Sequence, residues 1–267
     1  MNAELFYFTG TGNTLYLAKE LGSRLGGAKL TSIAGLPGEG RISTEAEVVG
    51  ILFPIYFLNL PRIVRAFIAR LDSPRTEYAF ALDTCGQRDG GALSIVRGLA
   101  ARGGRRLDAG FRVILPDNSI VFPTRPELHA PMFEAAAGEL DRIAARIAAR
   151  EPGFDPNPGT AGSLVGYAMK GFCEGILGFK DLRFDMELCT GCGVCAEACP
   201  VSNIAMEGSS PRRESAEKCE SCFACVHRCP AKAIRFRRQS AQEDYQYRNP
   251  RVPFAELKYR GSGRAEA

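Results

Sequence analysis

The sequence predicts an α/β protein, with a five-stranded parallel sheet between layers of helices, followed by a small α+β domain. Over the first 150 residues, short apolar runs bounded by turn residues alternate with helical patterns, as in open α/β sheets. Eight of the ten cysteines lie between residues 189 and 229, which marks a separate metal-binding part. We therefore expect a domain at 1–150, a linker and bridging helical segment at 151–180, the cysteine-rich domain at 181–238 and a polar C-terminal tail at 239–267.

The predicted strands are short continuous apolar runs, typical of parallel strands that are buried on both faces. In chain order they are residues 5–8, 30–33 (the weakest), 47–53, 78–83 and 111–115. The helical patterns between and after them cover residues 14–25, 61–71, 91–102 and 132–150. Ligands of such sheets bind beyond the carboxyl ends of the strands, so the loops that follow the strands form the candidate site.

The loop after the first strand has the composition of a phosphate site. It consists of Thr9, Gly10, Thr11, Gly12, Asn13 and Thr14. Glycines allow tight turns in which several N–H groups converge on one anion, and the following helix offers its positive end. No Lys follows Gly12, as a Walker loop requires, and Leu15 stands where the dinucleotide fingerprint needs a small residue.

This T-G-T-G-N-T run resembles the FMN phosphate loop of flavodoxins. The resemblance implies a flavodoxin-like doubly wound sheet that binds FMN, with further contacts from the loops after the third and fourth strands. Here those contacts would come from Pro54, Ile55, Tyr56, Phe57, Thr84, Cys85, Gly86, Gln87, Gly90 and Gly91. Either Tyr56 or Phe57 would stack on the isoalloxazine ring while the other packs in the core, and Cys85 is expected to be a small buried hydrophobe. The loop after the fourth strand lacks the aromatic residue of the family, so one flavin face would be open or covered by the second domain.

The cysteines form two runs of C-x2-C-x2-C-x3-C-P, the pattern of bacterial ferredoxins, in which the fourth Cys of each run ligates the other cluster. The pattern assigns one 4Fe–4S cluster to Cys189, Cys192, Cys195 and Cys229, and the other to Cys219, Cys222, Cys225 and Cys199. Zinc remains the alternative, although four-cysteine zinc sites do not need a third Cys in each run. Disulfides would require an oxidising compartment, and the N-terminus carries no export signal. We therefore predict a cytoplasmic protein.

The whole chain resembles fusion proteins that join a flavodoxin-like part to a two-cluster ferredoxin-like part. This implies an electron-transfer protein that relays electrons between two 4Fe–4S clusters and FMN, and on to a partner redox enzyme. An FMN-dependent reductase that is fed by its own clusters is the alternative, and a redox sensor is a weaker one. The centres could approach one another within one chain or across a homodimer.

The remaining features carry weaker predictions. The net charge of +4 counts the cysteines as neutral, so it indicates no nucleic-acid partner, and no apolar run has transmembrane length. Residues 164–179 are expected to form a helical bridge rather than a patch for a partner or membrane surface. Asn118 and the two residues before it are interpreted as a turn rather than part of the pocket. His227, beside a full set of cysteines, is expected at the surface.

Overall fold

The computed structural model describes residues 1–88, 90–120, 122–155, 160–236 and 245–259. The chain forms two compact units. Unit 1 comprises Met1–Thr9, Asn13–Asp117 and Thr124–Lys170. Unit 2 comprises Gly10–Gly12, Asn118–Pro123 and Gly171–Ala267, as far as these residues are described. Two short segments of the N-terminal part therefore belong to the unit that contains the cysteines.

Unit 1 is built on a six-stranded parallel sheet. The strands of this unit are β1 (Ala3–Tyr7), β2 (Lys29–Ser32), β3 (Ile42–Ser43), β4 (Val48–Pro54), β5 (Leu71–Asp72), β6 (Tyr78–Cys85), β7 (Ala109–Ile114) and β8 (Gly153–Asp155). The sheet order is β2-β1-β4-β6-β7-β8, and β3 pairs with β5 separately. Counting only the strands of the sheet, this is the flavodoxin-like order 2-1-3-4-5 with one more strand at the edge. The predicted doubly wound flavodoxin-like sheet is confirmed.

The sixth strand, β8, differs from the sequence prediction, which assigned these residues to the linker. Its backbone pairs with β7, and Phe154 lies opposite Gly110. A Cβ at Gly110 would lie only 2.5 Å from the Phe154 ring, so the glycine makes room for that ring. A segment of three residues among prolines and glycines is too short to show the alternation of apolar and polar residues by which a strand is predicted. Its pairing with β7 makes it a strand.

Helices cover both faces of the sheet. They are α1 (Asn13–Arg24), α2 (Arg62–Arg70), α3 (Ala92–Arg102), α4 (His129–Ala148) and α5 (Thr160–Gly171). α1 packs against α4, and α2 against α3, which gives one helical pair for each face. The core between the layers contains the fully buried side chains of Leu5, Phe80 and Phe111. Burial of such side chains contributes about 1.5–3 kcal/mol each and explains why these apolar runs become central strands.

Unit 2 has the expected small α+β architecture and an internal repeat. Its elements are β9 (Leu182–Phe184), α6 (Val194–Glu197), β10 (Ile204–Glu207), β11 (Ser210–Arg213), α7 (Ala224–Arg228) and β12 (Ile234–Phe236). β9 pairs with β12 and β10 with β11, both antiparallel. Each cysteine run therefore enters a one-turn helix and is followed by a strand. Phe179, Phe223 and Phe236 form an aromatic cluster, with ring centroids 5.0–6.0 Å apart.

Residues 164–179 are helical over most of their length, as predicted. α5 ends at Gly171, and a π-helical turn follows at Phe172–Ile176. Several apolar side chains of this helix are exposed, among them Leu164 and Ile176. None of the helices in the described ranges has the length and apolar character needed to cross a membrane.

Candidate functional site

The predicted phosphate loop connects β1 to α1. Gly12 has a φ of +108°, a backbone conformation that residues other than glycine rarely adopt. Thr14, in the first turn of α1, is fully buried, and its Oγ1 has no hydrogen-bond partner among the described residues. A buried hydroxyl without a partner costs about 1–3 kcal/mol, and a phosphate oxygen at this helix N-terminus would accept its hydrogen bond. The loop therefore fits an anion.

The segment after β7 meets two of the predicted flavin loops. Asn13, the first residue of α1, donates a hydrogen bond from Nδ2 to the carbonyl of Pro116 over 3.0 Å. A Cβ at Gly86 would lie 2.6 Å from the Cβ of Asp117, so Asp117 packs directly on the loop after β6. The segment therefore packs on residues of both loops, at the edge of the sheet where ligands bind. Its interpretation as a turn rather than part of the pocket stays a prediction.

The loop after β4 distinguishes between its two aromatic residues. Tyr56 and Asn59 exchange backbone hydrogen bonds of 2.9 and 3.1 Å, and the two residues between them, Phe57 and Leu58, have φ values of 51° and 58°. Tyr56 is buried and lies edge-on to Phe8 at 6.5 Å, whereas Phe57 is half-buried. Tyr56 is therefore the core residue of the pair. Strained left-handed residues often occur at ligand loops, which agrees with the position of Phe57.

The loop after β6 is shorter than the sequence predicted. Thr84 and Cys85 belong to β6 rather than to the loop, because their backbones pair with β7 and the Cys85 carbonyl accepts the N–H of Leu115 at 3.1 Å. Cys85 is buried, as predicted. Gly86, Gln87, Gly90 and Gly91 remain in the loop, and Asp89 lies outside the described residues.

The loops after β4 and β6 touch each other, and α5 lies against both. A Cβ at Gly90 would lie 2.1 Å from the carbonyl oxygen of Leu58. A Cβ at Gly166 of α5 would lie 2.3 Å from the same oxygen and 2.9 Å from the carbonyl of Gly90. Arg65 of α2 donates a hydrogen bond of 2.6 Å to the Tyr167 hydroxyl of α5. Within unit 1, α5 therefore packs against the loops after β4 and β6. The sequence analysis expected one face of the flavin at these loops to be open or covered by the second domain, and did not consider this helix there.

The predicted cysteine ligands lie around two cavities of unit 2. One cavity is lined by Cys199, Cys219, Cys222 and Cys225 together with apolar neighbours. The other is lined by Cys189, Cys192, Cys195 and Cys229. In the described part of the chain, no three His, Cys, Asp or Glu side chains gather closely enough for a single metal ion. Each cavity is lined by one of the reciprocal four-cysteine sets, with the fourth cysteine from the other run.

The two runs share one backbone conformation. Gly191 and Ser221, which stand before the second cysteine of each run, both have left-handed φ values, 67° and 55°. Gly193 and Phe223, just after that cysteine, repeat this at 74° and 58°. These left-handed residues reverse the local course of the chain around the second cysteine of each run.

The fourth cysteine of each run accepts a hydrogen bond from the backbone. The N–H of Asn203 donates to Cys199 Sγ, and the N–H of Ala233 donates to Cys229 Sγ, both over 3.2 Å. Hydrogen bonds to cluster sulfurs stabilise negative charge and are one of the means by which proteins set reduction potentials. The site therefore offers the same tuning bond to both cysteine sets.

Burial raises the pKa of five of these thiols, those of Cys195, Cys199, Cys219, Cys222 and Cys225. The pKa of Cys195 is raised to about 11, mainly by burial and also by the neighbouring Cys229. Burial raises the pKa of Cys222 well above its usual value, and Cys199 adds to the effect. Metal binding must therefore displace protons from these thiols, because the thiolate is the ligand.

His227 is buried, so the prediction of a surface position was wrong. Its Nε2 donates to the carbonyl of Asn118 over 2.7 Å, and its Nδ1 accepts the N–H of Tyr247 over 3.1 Å. The ring is therefore neutral, and burial lowers its pKa to about 4. Both partners, Asn118 and Tyr247, are distant from His227 in sequence, so the residues around His227 do not predict these hydrogen bonds.

The comparisons with known proteins agree with this division. Residues 181–245 match the family model described as a 4Fe-4S dicluster domain. The C-terminal part of the chain is an iron–sulfur domain. With the sheet order of unit 1, the chain joins a flavodoxin-like fold to a 4Fe–4S dicluster domain, which confirms the predicted architecture. None of the curated protein sequences matches the chain.

Solved structures resemble the flavodoxin-like part at low identity. A putative flavoprotein from Bacteroides uniformis is 18% identical over 42% of this chain and 90% of its own, with a TM-score of 0.36. Oxidised flavodoxin 1 from Bacillus cereus is 12% identical over 55% of this chain and 97% of its own, with a TM-score of 0.40. The flavodoxin, WrbA-like protein from Agrobacterium tumefaciens is 16% identical over 56% of this chain and 99% of its own, with a TM-score of 0.36. The strand order of unit 1, rather than these scores, establishes its fold.

Proposed function

We propose that the iron–sulfur domain holds two 4Fe–4S clusters and that the chain relays electrons between them and a bound FMN. The observation that carries this proposal is the pair of cavities, each lined by one complete four-cysteine set. One cluster is assigned to Cys189, Cys192, Cys195 and Cys229, and the other to Cys219, Cys222, Cys225 and Cys199. A two-cluster ferredoxin motif requires this reciprocal arrangement.

The flavin site is proposed at the carboxyl edge of the sheet. The unpartnered Thr14 hydroxyl and the N-terminus of α1 suit the FMN phosphate. Phe57, rather than the buried Tyr56, is proposed to stack on the ring. The contact between the loops at Leu58 and Gly90 supports a single site built from both loops.

The protein residues bind these groups, position them and limit water. FMN supplies two-electron chemistry in one-electron steps, and each cluster supplies one-electron transfer. The thiols give up their protons when iron binds, and the N–H groups of Asn203 and Ala233 stabilise the sulfur charge that results. The apolar neighbours of Cys222, including Phe223 and Phe236, line one cavity and reduce its access to water.

An electron carrier is favoured over a reductase of small substrates. The backbone of α5 lies against both flavin loops, which supports exchange of electrons with a redox partner protein over binding of a substrate above the ring. A reducing cytoplasm and assembly as a homodimer stay predictions. The carrier should turn over only when a partner protein is added, whereas a reductase would reoxidise rapidly with one small acceptor.

The experiment that tests the proposal is anaerobic purification followed by quantification of iron, sulfide and flavin and by a redox titration. We expect about eight iron atoms per chain, the content of two cubanes. Cys199 lies in the first cysteine run but is assigned to the cluster that Cys219, Cys222 and Cys225 of the second run hold. Cys199→Ser should therefore remove that cluster and leave the EPR signal of the other cluster unchanged. Cys173→Ser, which changes a buried cysteine outside both sets, is the matched control. Colourless protein, or zinc in place of iron, would refute the proposal.

A further inference from the structure

Asn118 connects the phosphate loop to one of the two cysteine sets. All the residues involved belong to unit 2, which includes Gly10–Gly12. The side-chain Nδ2 of Asn118 lies 3.2 Å from Thr11 Oγ1 and 3.3 Å from the carbonyl oxygen of Cys222. An amide carries two N–H donors, so both bonds can form at once. One side chain thus joins the flavin phosphate loop to a predicted cluster ligand.

A second chain of contacts joins the same two places. The carbonyl of Asn118 accepts the Nε2–H of His227, which lies between Cys225 and Cys229 in sequence. His227 Nδ1 accepts the N–H of Tyr247, and two residues later the N–H of Asn249 donates to the carbonyl of Thr11 over 3.3 Å. A Cβ at Gly12 would lie 3.0 Å from the Cβ of Asn249, so this C-terminal segment packs directly on the loop. The segment from Cys222 to His227 is therefore held to the phosphate loop from two sides.

The two cysteine sets differ in their exposure to solvent. Cys192 is exposed, whereas its counterpart Cys222 is buried; Cys189 and its counterpart Cys219 are both half-buried, and the other four cysteines are buried. Met186 and Leu188, which precede Cys189 in the sequence, are also exposed. An external protein can approach the first set, whereas the second set is tied to the phosphate loop.

We propose an order for the centres, which rests on the proposed function. The cluster held by Cys199, Cys219, Cys222 and Cys225 exchanges electrons directly with the flavin, and the cluster held by Cys189, Cys192, Cys195 and Cys229 exchanges them with a one-electron redox partner protein. Asn118 is the positioning residue that fixes the first of these clusters against the flavin loop. Each step moves one electron, so one centre is oxidised as the next is reduced; two steps fully reduce the flavin, and solvent supplies its protons.

The test compares the parent protein with Asn118→Ala and Asn118→Asp. Alanine removes both Nδ2 bonds, and aspartate keeps the size but places a carboxylate oxygen against the Cys222 carbonyl. Iron, flavin and the midpoint potential of each cluster are measured anaerobically by EPR and absorbance. Ser119→Ala is the control in the same segment, because it removes the acceptor of the Phe122 N–H and leaves both Asn118 bonds in place. Cys192→Ser and Cys222→Ser identify which EPR signal belongs to which set.

We expect both Asn118 variants to retain iron and flavin, to shift the potential of the signal that Cys222→Ser removes and to slow reduction of the flavin by the clusters. If a cysteine variant fails to fold, limited treatment of the parent with a hydrophilic iron chelator identifies the signal of the solvent-exposed set instead. Unchanged potentials in both Asn118 variants, or a shift confined to the signal that Cys192→Ser removes, would overturn this order of the centres and leave the proposed function standing. A parent protein without iron or flavin would overturn the proposed function itself.

Discussion

Replacement of Thr14 by valine should change stability and FMN binding in opposite directions. The Thr14 hydroxyl is fully buried and has no partner among the described residues, so it costs the flavin-free protein about 1–3 kcal/mol. Valine has nearly the same shape and no polar atom. The free energy of unfolding of the flavin-free protein should therefore rise by up to about 1–3 kcal/mol. A change of 1 kcal/mol corresponds to about 2–4 °C in Tm for a domain of 150–250 residues.

The same substitution should weaken FMN binding. A hydrogen bond to a charged phosphate contributes about 1.5–3 kcal/mol. Since 1.4 kcal/mol is a factor of ten, the Kd for FMN should increase by about 10- to 150-fold. Kd is measured by the change in flavin fluorescence on titration into flavin-free protein, and stability by thermal unfolding without flavin.

Thr44→Val is the matched control for this experiment. Thr44 is also buried, but its Oγ1 donates to Glu4 Oε2 at 2.6 Å and accepts the N–H of Ala46 at 3.2 Å. Valine at this position leaves both partners unsatisfied, so stability should fall by about 1–3 kcal/mol while FMN affinity stays the same. The reasoning is refuted if Thr14→Val lowers stability as Thr44→Val does, or if it leaves the Kd for FMN unchanged.

Two further predictions concern unit 1. Phe57→Ala should weaken FMN binding and alter the flavin absorption spectrum with little loss of stability, whereas Tyr56→Ala should destabilise the fold by about 3–5 kcal/mol as a buried aromatic residue is lost; equal effects of the two on the spectrum would contradict the assignment of Phe57. Burial alone would raise the pKa of Glu4, but hydrogen bonds from Thr31, Thr44 and Lys29 lower it below the usual value. The stability that this carboxylate contributes is thus present above its unfolded pKa and lost as the pH falls toward its folded pKa, so Glu4→Gln should flatten the acid limb of the unfolding free energy measured against pH.

The sequence predicted the elements whose signal is local. β4 is a run of apolar residues long enough to be identified without its neighbours, and the cysteine spacing specifies reciprocal sets that the structure brings around two cavities. β8 could not be predicted, because its order comes from pairing with β7. The burial of His227 depends on Asn118, 109 positions away in sequence, and a motif of five or six residues contains no trace of such a contact.

The same motif, used twice, produces two different environments. The first run places glycines at its left-handed positions, whereas the second places Ser221 and Phe223 there. A side chain in this conformation costs roughly 1–2 kcal/mol, so the second run accepts strain that the first avoids. Aromatic pairs contribute about 0.5–1.5 kcal/mol each beyond their burial, and the Phe223 ring packs against both Phe179 and Phe236. The strain is therefore offset by the aromatic cluster that buries the second set.

Exposure to solvent and hydrogen bonds to sulfur set the potential of a cluster with given ligands. Both sets offer four thiolates and one N–H bond to the fourth sulfur, and the second set has a further bond from the N–H of Ser221 to Cys219 Sγ over 3.4 Å. Their exposure differs, because Cys192 reaches solvent and Cys222 does not. A buried site disfavours the more negative, reduced state unless extra donors compensate. Two clusters with identical ligand spacing should therefore have distinct potentials, and that difference would give the relay its direction.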